Sequence, residues 1–324
     1  MGVSESFAPP AWLRGRYVQT ILASSRLRVL GNNPMELASE EMILDAGENI
    51  RLQGFLSRQK SVSANGLVIL LHGWEGSAHS TYIQHSGREF HAQGYAVFRL
   101  NFRDHGDTHH LNEGLFYGTL LEEVFTAVKY AAALAERAPA FLVGFSLGGN
   151  FALRIARRCL ENPIENMQHI FAISPVLDPS HATDAIDRAW LLKEYFLRKW
   201  KRSLRIKQAL YPHLYDFTRI LPMRTLRSMT DALIEDFGIF PGTQEYFETY
   251  TIRDDALMGL RIPTSIIASR DDPAIPVQDF LGIRTGGTTT LYLHDHGGHN
   301  GFLNALCAPT WYEAWITQTM QGLV

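Results

Sequence analysis

The sequence predicts an α/β protein built on a mostly parallel, doubly wound sheet with a helical insertion. Three observations lead there. Continuous apolar runs such as Leu67–Leu71 and Ala140–Val143 alternate with helical patterns, as expected of strands buried on both faces of a parallel sheet. From residue 67 the order is strand, helix, strand, helix, strand, which favours right-handed crossovers and a doubly wound sheet. Polar loops follow these runs, at the carboxyl ends of strands where open parallel sheets carry their sites.

Residues 1–40 read as a lead-in, with a stiff Pro9-Pro10 and a short helix within Trp12–Leu22. Glu41–Leu44 and Ile50–Leu56, split by the turn residues 45–49, read as an antiparallel pair. A polar loop, Ser57–Asn65, leads to the buried strand Leu67–Leu71. A helix over Ser86–Gln93, a strand over Tyr95–Leu100 and an amphipathic helix over Thr119–Ala135 follow, the last with Leu120, Val124, Val128 and Ala131 at helical spacing. Then come the strand at 140–143, a helix over 152–158 and a strand over Gln168–Ile173. From about Asp178 to Tyr250 no buried-strand run occurs and the pattern is helical. The expected organisation is one domain over 1–324 with a helical cap inserted at 178–250. Thr264–Ala268 and Thr289–Leu293 resume the sheet, and a helix over Ala308–Met320 closes the chain.

Composition excludes some classes. The 324 residues are 46% hydrophobic and 19% charged, ordinary for a globular chain. Thirty basic and 33 acidic residues leave a net charge of −3, with no field to attract nucleic acid. No run approaches the roughly eighteen apolar residues of a membrane span. Residues 1–10 lack the basic-then-apolar pattern of a secretory signal, so none is expected. Met1–Ser6 fits the short form M-G-x-x-x-S of a myristoylation site, a match that matters only in a eukaryotic cell. The two cysteines, Cys159 and Cys307, have no metal or disulfide spacing. They suit a reducing compartment, and a cytoplasmic location is expected.

The chemistry centres on Gly144-Phe145-Ser146-Leu147-Gly148, a G-x-S-x-G between a strand and a helix. That context makes it a nucleophile elbow. The turn is tight enough to strain the serine backbone, and it lifts the hydroxyl clear of the sheet beside the positive end of a helix. Attack by such a serine builds a tetrahedral oxyanion, which needs donors already in place. One is the N–H of Leu147. The other comes from the loop after an early strand, here His72-Gly73-Trp74-Glu75-Gly76, and is assigned to Trp74, with Glu75 the second choice. The His72 side chain is expected to hold this loop and not to act as the base.

Two later strand ends supply the partners. Ser269-Arg270-Asp271-Asp272-Pro273 offers an acid, with Asp272 preferred because the turn after it would hold the carboxylate; Asp271 remains the alternative. His294-Asp295-His296-Gly297-Gly298-His299 offers a base, and His299, on the glycine-rich loop, is preferred over His294 and His296. The chain order Ser, Asp, His is the one elbow enzymes use. His105, His109 and His110 lack the frame of a zinc site, so no metal is expected. The helix read over Arg188–Lys207 has Leu192, Phe196, Trp200 and Leu204 on one face, with Arg198, Lys201, Arg202 and Arg205 opposite. It is expected to pack on the domain as part of the cap, with peripheral membrane contact through it as the second reading.

Taken together these pieces resemble the α/β-hydrolase superfamily and, within it, the YheT-like group that also holds the eukaryotic ABHD1/2/3-type hydrolases. The resemblance runs over nearly the whole chain. It rests on Pro9-Pro10-Ala11-Trp12-Leu13 with Gln19-Thr20, on His72–Ser77, on Asn101-Phe102-Arg103, on Val143–Asn150, on Asp271-Asp272-Pro273 and on Gly297–Phe302. It implies the α/β-hydrolase fold, a serine hydrolase with nucleophile Ser146, acid Asp272 and base His299, esterase or lipase-like activity on a small-molecule or lipid ester, and no cofactor. Acyl transfer to an alcohol, and non-catalytic binding on the same fold, are the alternatives. The loop Asp104-His105-Gly106-Asp107 departs from the smaller glycine-containing turn of many relatives, which bears on the polarity of the pocket. The membrane anchor of the eukaryotic relatives is not expected here.

Overall fold

The computed structural model of the chain describes residues 6–60 and 64–323. Met1–Ser6, the myristoylation match, lies outside them except for Ser6. In chain order the elements are α1 (Arg16–Ala23), α2 (Pro34–Leu37), β1 (Ser39–Asp45), β2 (Arg51–Ser57), β3 (Leu67–Leu71), α3 (Thr81–Ala92), β4 (Ala96–Leu100), α4 (Leu121–Ala133), β5 (Ala140–Phe145), α5 (Leu147–Arg158) and β6 (Met167–Ile173). They continue as α6 (Pro179–Arg188), α7 (Trp190–Leu210), α8 (Leu226–Phe237), α9 (Thr243–Tyr250), β7 (Thr264–Ser269), α10 (Val277–Leu281), β8 (Thr289–His294) and α11 (Trp311–Gln321).

The eight strands form one sheet in the order β1-β2-β4-β3-β5-β6-β7-β8. β1 and β2 pair antiparallel, as the alternating runs predict, and β2 joins β4 antiparallel. Every other pair is parallel. The strand order reverses around β3: the chain moves outward from it to β4, then returns across it to β5. A doubly wound sheet opens its crevice at such a reversal. Leu71 at the end of β3 lies opposite Gly144 near the end of β5, so the loops that leave these two strands emerge side by side.

Alternation along the strands divides the core between two faces. Leu67, Ile69 and Leu71 pack with α4 and α5 through Val124, Val128, Phe151 and Ile155. Val68 and Leu70 face the other way, against Ile83 and Phe90 of α3 and Tyr312 and Ile316 of α11. Apolar residues on both faces are what a strand covered by helices on both sides requires.

Some expected boundaries move. The helix within 12–22 is a 3-10 turn, Ala11–Leu13, followed by α1, because Gly15 between them is extended (φ −71°, ψ 124°). The helix expected at 86–93 starts earlier, at Thr81, after an extended Ser80. The helix expected to begin at Arg188 begins at Trp190, where Ala189 (φ −88°, ψ 89°) breaks it from α6. The lead-in is no loose tail. Leu13, Gln19, Ala23, Arg28 and Met35 are all buried.

Candidate active site

β5 ends at Phe145, and Ser146 sits at φ 55°, ψ −114°, a strained conformation that a non-glycine residue keeps only when its surroundings enforce it. Here they do. Its N–H donates to Ile173 O at 2.9 Å, and its carbonyl accepts from Val176 N at 3.2 Å and Asn150 N at 3.1 Å. The flanking glycines are sterically required. A Cβ at Gly144 would collide with the carbonyl of Gly148, and one at Gly148 with the carbonyls of Leu71 and His72. The elbow is therefore wedged against the loop that leaves β3.

His299 and Asp272 converge on this serine from the ends of β8 and β7. His299 Nε2 lies 3.0 Å from Ser146 Oγ, and His299 Nδ1 lies 2.9 Å from Asp272 Oδ2. The Asp272 side chain is 1% exposed. Its Oδ1 accepts N–H bonds from Ala274 (2.8 Å) and Ile275 (3.0 Å), so the turn after Pro273 holds the carboxylate. Asp271 turns the other way, and its Oδ1 accepts the Gly298 N–H at 2.9 Å. The two rejected histidines stand apart. His294 is buried, with its Nδ1 accepting the Phe7 N–H at 3.2 Å, and burial pushes it down to about 4. His296 faces Asp271 at 3.7 Å.

The loop after β3 borders the same point, since a Cβ at Gly73 would come within 3.1 Å of Ser146 Cβ. His72 is fully buried. Its Nδ1 donates to Gly73 O at 2.7 Å and its Nε2 accepts Phe102 N–H at 3.2 Å. Burial pushes its pKa down to about 3, so it is a neutral crosslink between two loops. Among the described residues, the N–H groups of Trp74 and Leu147 have no acceptor in the protein.

Ser146, Leu147, Trp74 and His299 line a cavity of about 1130 Å³, its open mouth included, between the strand ends and helices α6–α9. Its walls are largely apolar, with Phe116, Val176, Ile186, Phe196, Trp200 and Leu233 among them. The apolar stripe of α7 is occupied by the domain itself: Phe196 stacks on Trp74 at 5.4 Å and Trp200 meets it edge-on at 5.1 Å. That stripe is therefore not free to meet a membrane, and no described helix is long and apolar enough to cross one.

The cavity also has a polar side that spacing arguments did not reach. Lys207, the last residue of the helix expected over Arg188–Lys207, is 1% exposed. Its Nζ reaches Asp104 Oδ1 (2.8 Å) and the carbonyls of Asn112 (2.6 Å) and Gly114 (3.0 Å). The departing loop thus does place charge in the pocket wall. Glu75 lines it too; burial pushes its carboxyl up to about 8, against the opposing charge of Lys199. His105 Nδ1 donates to Arg103 O at 2.7 Å and His109 pairs with Ser203 at 2.8 Å. Among the described residues, no three His, Cys, Asp or Glu are grouped to hold a metal ion.

A sheet of this order, with an elbow serine hydrogen-bonded to a histidine from the loop after its last strand, defines an α/β-hydrolase. The chain belongs to the alpha/beta hydrolase family, whose model matches residues 68–307. It is similar to "Putative esterase YheT" of Escherichia coli (strain K12), 22% identical over 268 residues that cover 79% of this chain and 77% of that protein. It is also similar to human Protein ABHD15, 27% identical over 204 residues, which are 61% of this chain and 42% of the longer relative. Among solved structures, the Pyrococcus furiosus esterase Pf2001 shares the fold with a TM-score of 0.56 at 16% identity, covering 91% of this chain and 98% of its own.

Proposed function

We propose that this protein hydrolyses carboxylic esters through an acyl-enzyme on Ser146. The observation that carries the reading is the unbroken hydrogen-bonded chain from Ser146 Oγ through His299 to the buried Asp272 carboxylate, at the edge of a largely apolar cavity. His299 takes the Ser146 proton as the hydroxyl attacks the ester carbonyl. Asp272 keeps the Nδ1–H tautomer and stabilises the imidazolium that forms. The N–H groups of Leu147 and Trp74 receive the oxyanion, each such donor contributing roughly 2.7–4 kcal/mol in comparable sites. His299 then protonates the departing alcohol, and water, activated by the same histidine, releases the acid.

Helices α6–α9, within 178–250, act in this reading as a cap that excludes water and encloses the apolar part of the ester. YheT and Pf2001 carry the word esterase in their names, which supports the same reaction class. The test is turnover of a chain-length series of chromogenic esters by wild type and Ser146→Ala, alongside labelling by a fluorophosphonate. Wild type is expected to turn over and to be labelled at Ser146, and Ser146→Ala to lose about 10⁶-fold in kcat, as removal of a triad serine does elsewhere. Product analysis with added alcohol shows whether water or the alcohol receives the acyl group. A wild type that neither hydrolyses any ester nor takes the label would overturn the reading.

A further inference from the structure

The N-terminal arm lies outside the residues matched by the family model, yet it holds the loop that carries His299. The Thr20 hydroxyl of α1 accepts the backbone N–H of His299 at 2.9 Å and donates to Arg16 O at 2.7 Å. Gln19, fully buried beside it, brackets the same loop further on. Its Oε1 accepts the Leu303 N–H at 2.7 Å, and its Nε2 donates to Leu303 O (3.1 Å) and Leu13 O (2.8 Å). The contact is close enough to dictate sequence in the loop. At Gly298 (φ 54°) a Cβ would meet Thr20 Oγ1 at 2.7 Å and Gln19 Cβ at 2.9 Å, and at Gly301 it would meet Gln19 Oε1 at 2.7 Å.

The arm is itself fixed. Arg28, 1% exposed, reaches His85 at 3.1 Å and Glu313 at 3.8 Å in the core; Met35 is buried, and Glu36 pairs with Arg99. A loop with Gly297, Gly298 and Asn300 all at positive φ has many conformations open to it. The bond from Asp272 orients the imidazole ring, and the loop backbone on either side is held by Asp271 at the Gly298 N–H, by Ser269 at the Gly298 carbonyl and by Ser174 at the Asn300 N–H. Among the described residues, the bond to the His299 N–H itself comes from Thr20 of the arm.

We propose that α1 is a positioning element for the base, in which Thr20 and Gln19 set the height and register of the His299 loop so that Nε2 meets Ser146. The inference rests on the role given to His299 above. An error of about 1 Å in such a group costs on the order of a hundredfold in rate, so the arm is expected to act on kcat and not on substrate affinity.

The experiment compares Thr20→Val, which keeps the shape and removes the hydroxyl, with Thr20→Ser, which keeps the hydroxyl. Rates are expressed per site titrated with a fluorophosphonate at long exposure. Thr20→Val is expected to lower kcat by roughly ten- to a hundredfold, to leave KM within about twofold, and to slow labelling of Ser146 by the same factor as kcat. Thr20→Ser is expected to restore both rates. Gln19→Glu, which keeps the acceptor for Leu303 N–H and loses the donor, supplies the test if Thr20→Val does not fold, and its kcat is expected to fall with KM held. Thr20→Val at wild-type kcat per titrated site overturns the inference and leaves the hydrolase reading standing. A wild type with neither turnover nor label overturns both.

Discussion

At the residue scale, two adjacent aspartates divide their work by direction alone. Asp272 points into the site, where its two oxygens are filled by His299 and two turn N–H groups, while Asp271 points to Gly298. The residue order of the turn favours this assignment, and the hydrogen bonds give its cause. Glu75 is a residue whose importance spacing does not reveal. Burial raises its carboxyl to about 8, so it is neutral at pH 7 and becomes a carboxylate as pH rises through that value. On the proposed mechanism, a negative charge in the wall that also holds Ser146 and Trp74 opposes the oxyanion. Wild-type kcat/KM is therefore expected to fall above about pH 8, and Glu75→Gln to hold its activity through that range. Identical alkaline limbs in the two proteins would remove Glu75 from the electrostatics of the site.

At the scale of elements, α7 does more than its basic amphipathic pattern suggests. Phe196 and Trp200 close on Trp74, while Lys207 reaches past them into the loop after β4. Lys207 is one tie, and a buried one, between the helices over the cavity and the loops beneath. Lys207→Met leaves Asp104 buried without its cation, and breaking a buried pair this way costs about 3–5 kcal/mol. Denaturant midpoints are expected to show that loss, and Lys207→Met with Asp104→Asn to recover most of it, since the second change removes the stranded charge. A double variant as unstable as Lys207→Met alone would mean that the lost packing of the lysine, and not the unpaired carboxylate, is the cause. The elbow shows the same coupling in reverse: the glycines of one element are dictated by carbonyls of another, with Gly148 wedged under Leu71 and His72.

At the scale of the whole molecule, the N-terminal arm, α3 and α11 are joined through one buried polar cluster. Glu313 accepts from Ser86 at 2.6 Å and meets His85 at 3.0 Å, with Arg28 beside it. Burial alone would raise its carboxyl, but the bond and charge of His85, the charge of Arg28 and the Ser86 hydroxyl outweigh burial and hold it at about 2. A folded-state value below the ordinary 4.5 means that this group stabilises the protein above pH 4.5 and loses that contribution as pH falls toward 2. Urea midpoints of wild type are expected to drop across that window. Glu313→Gln is expected to be less stable by about 3–5 kcal/mol at pH 7 and to show a flatter acid limb. An acid limb of unchanged slope would place the titrating groups elsewhere.

The sequence by itself determined the sheet and the turn at Ser146, and it put the three candidate site residues in the order Ser, Asp, His. These follow from local rules: apolar runs flanked by helical periods, glycines at a forced turn, and polar residues at strand ends. Ser146, Asp272 and His299 are legible as candidates because each lies on the turn or loop that follows a strand. Tertiary structure alone decided what those rules do not reach. The Gln19-Thr20 pair is part of the family resemblance, yet no spacing says that it meets His299, 279 residues away. Lys207 closes the helix read over Arg188–Lys207, and helical periodicity gives a residue a face and not a neighbour, so its pairing with Asp104 is invisible to it. Glu75 enters the sequence reading only as the second choice for a backbone donor, and burial of its carboxyl is decided by the fold. In each case the deciding quantity is desolvation or contact between residues far apart in the chain, which exists only once the chain has folded.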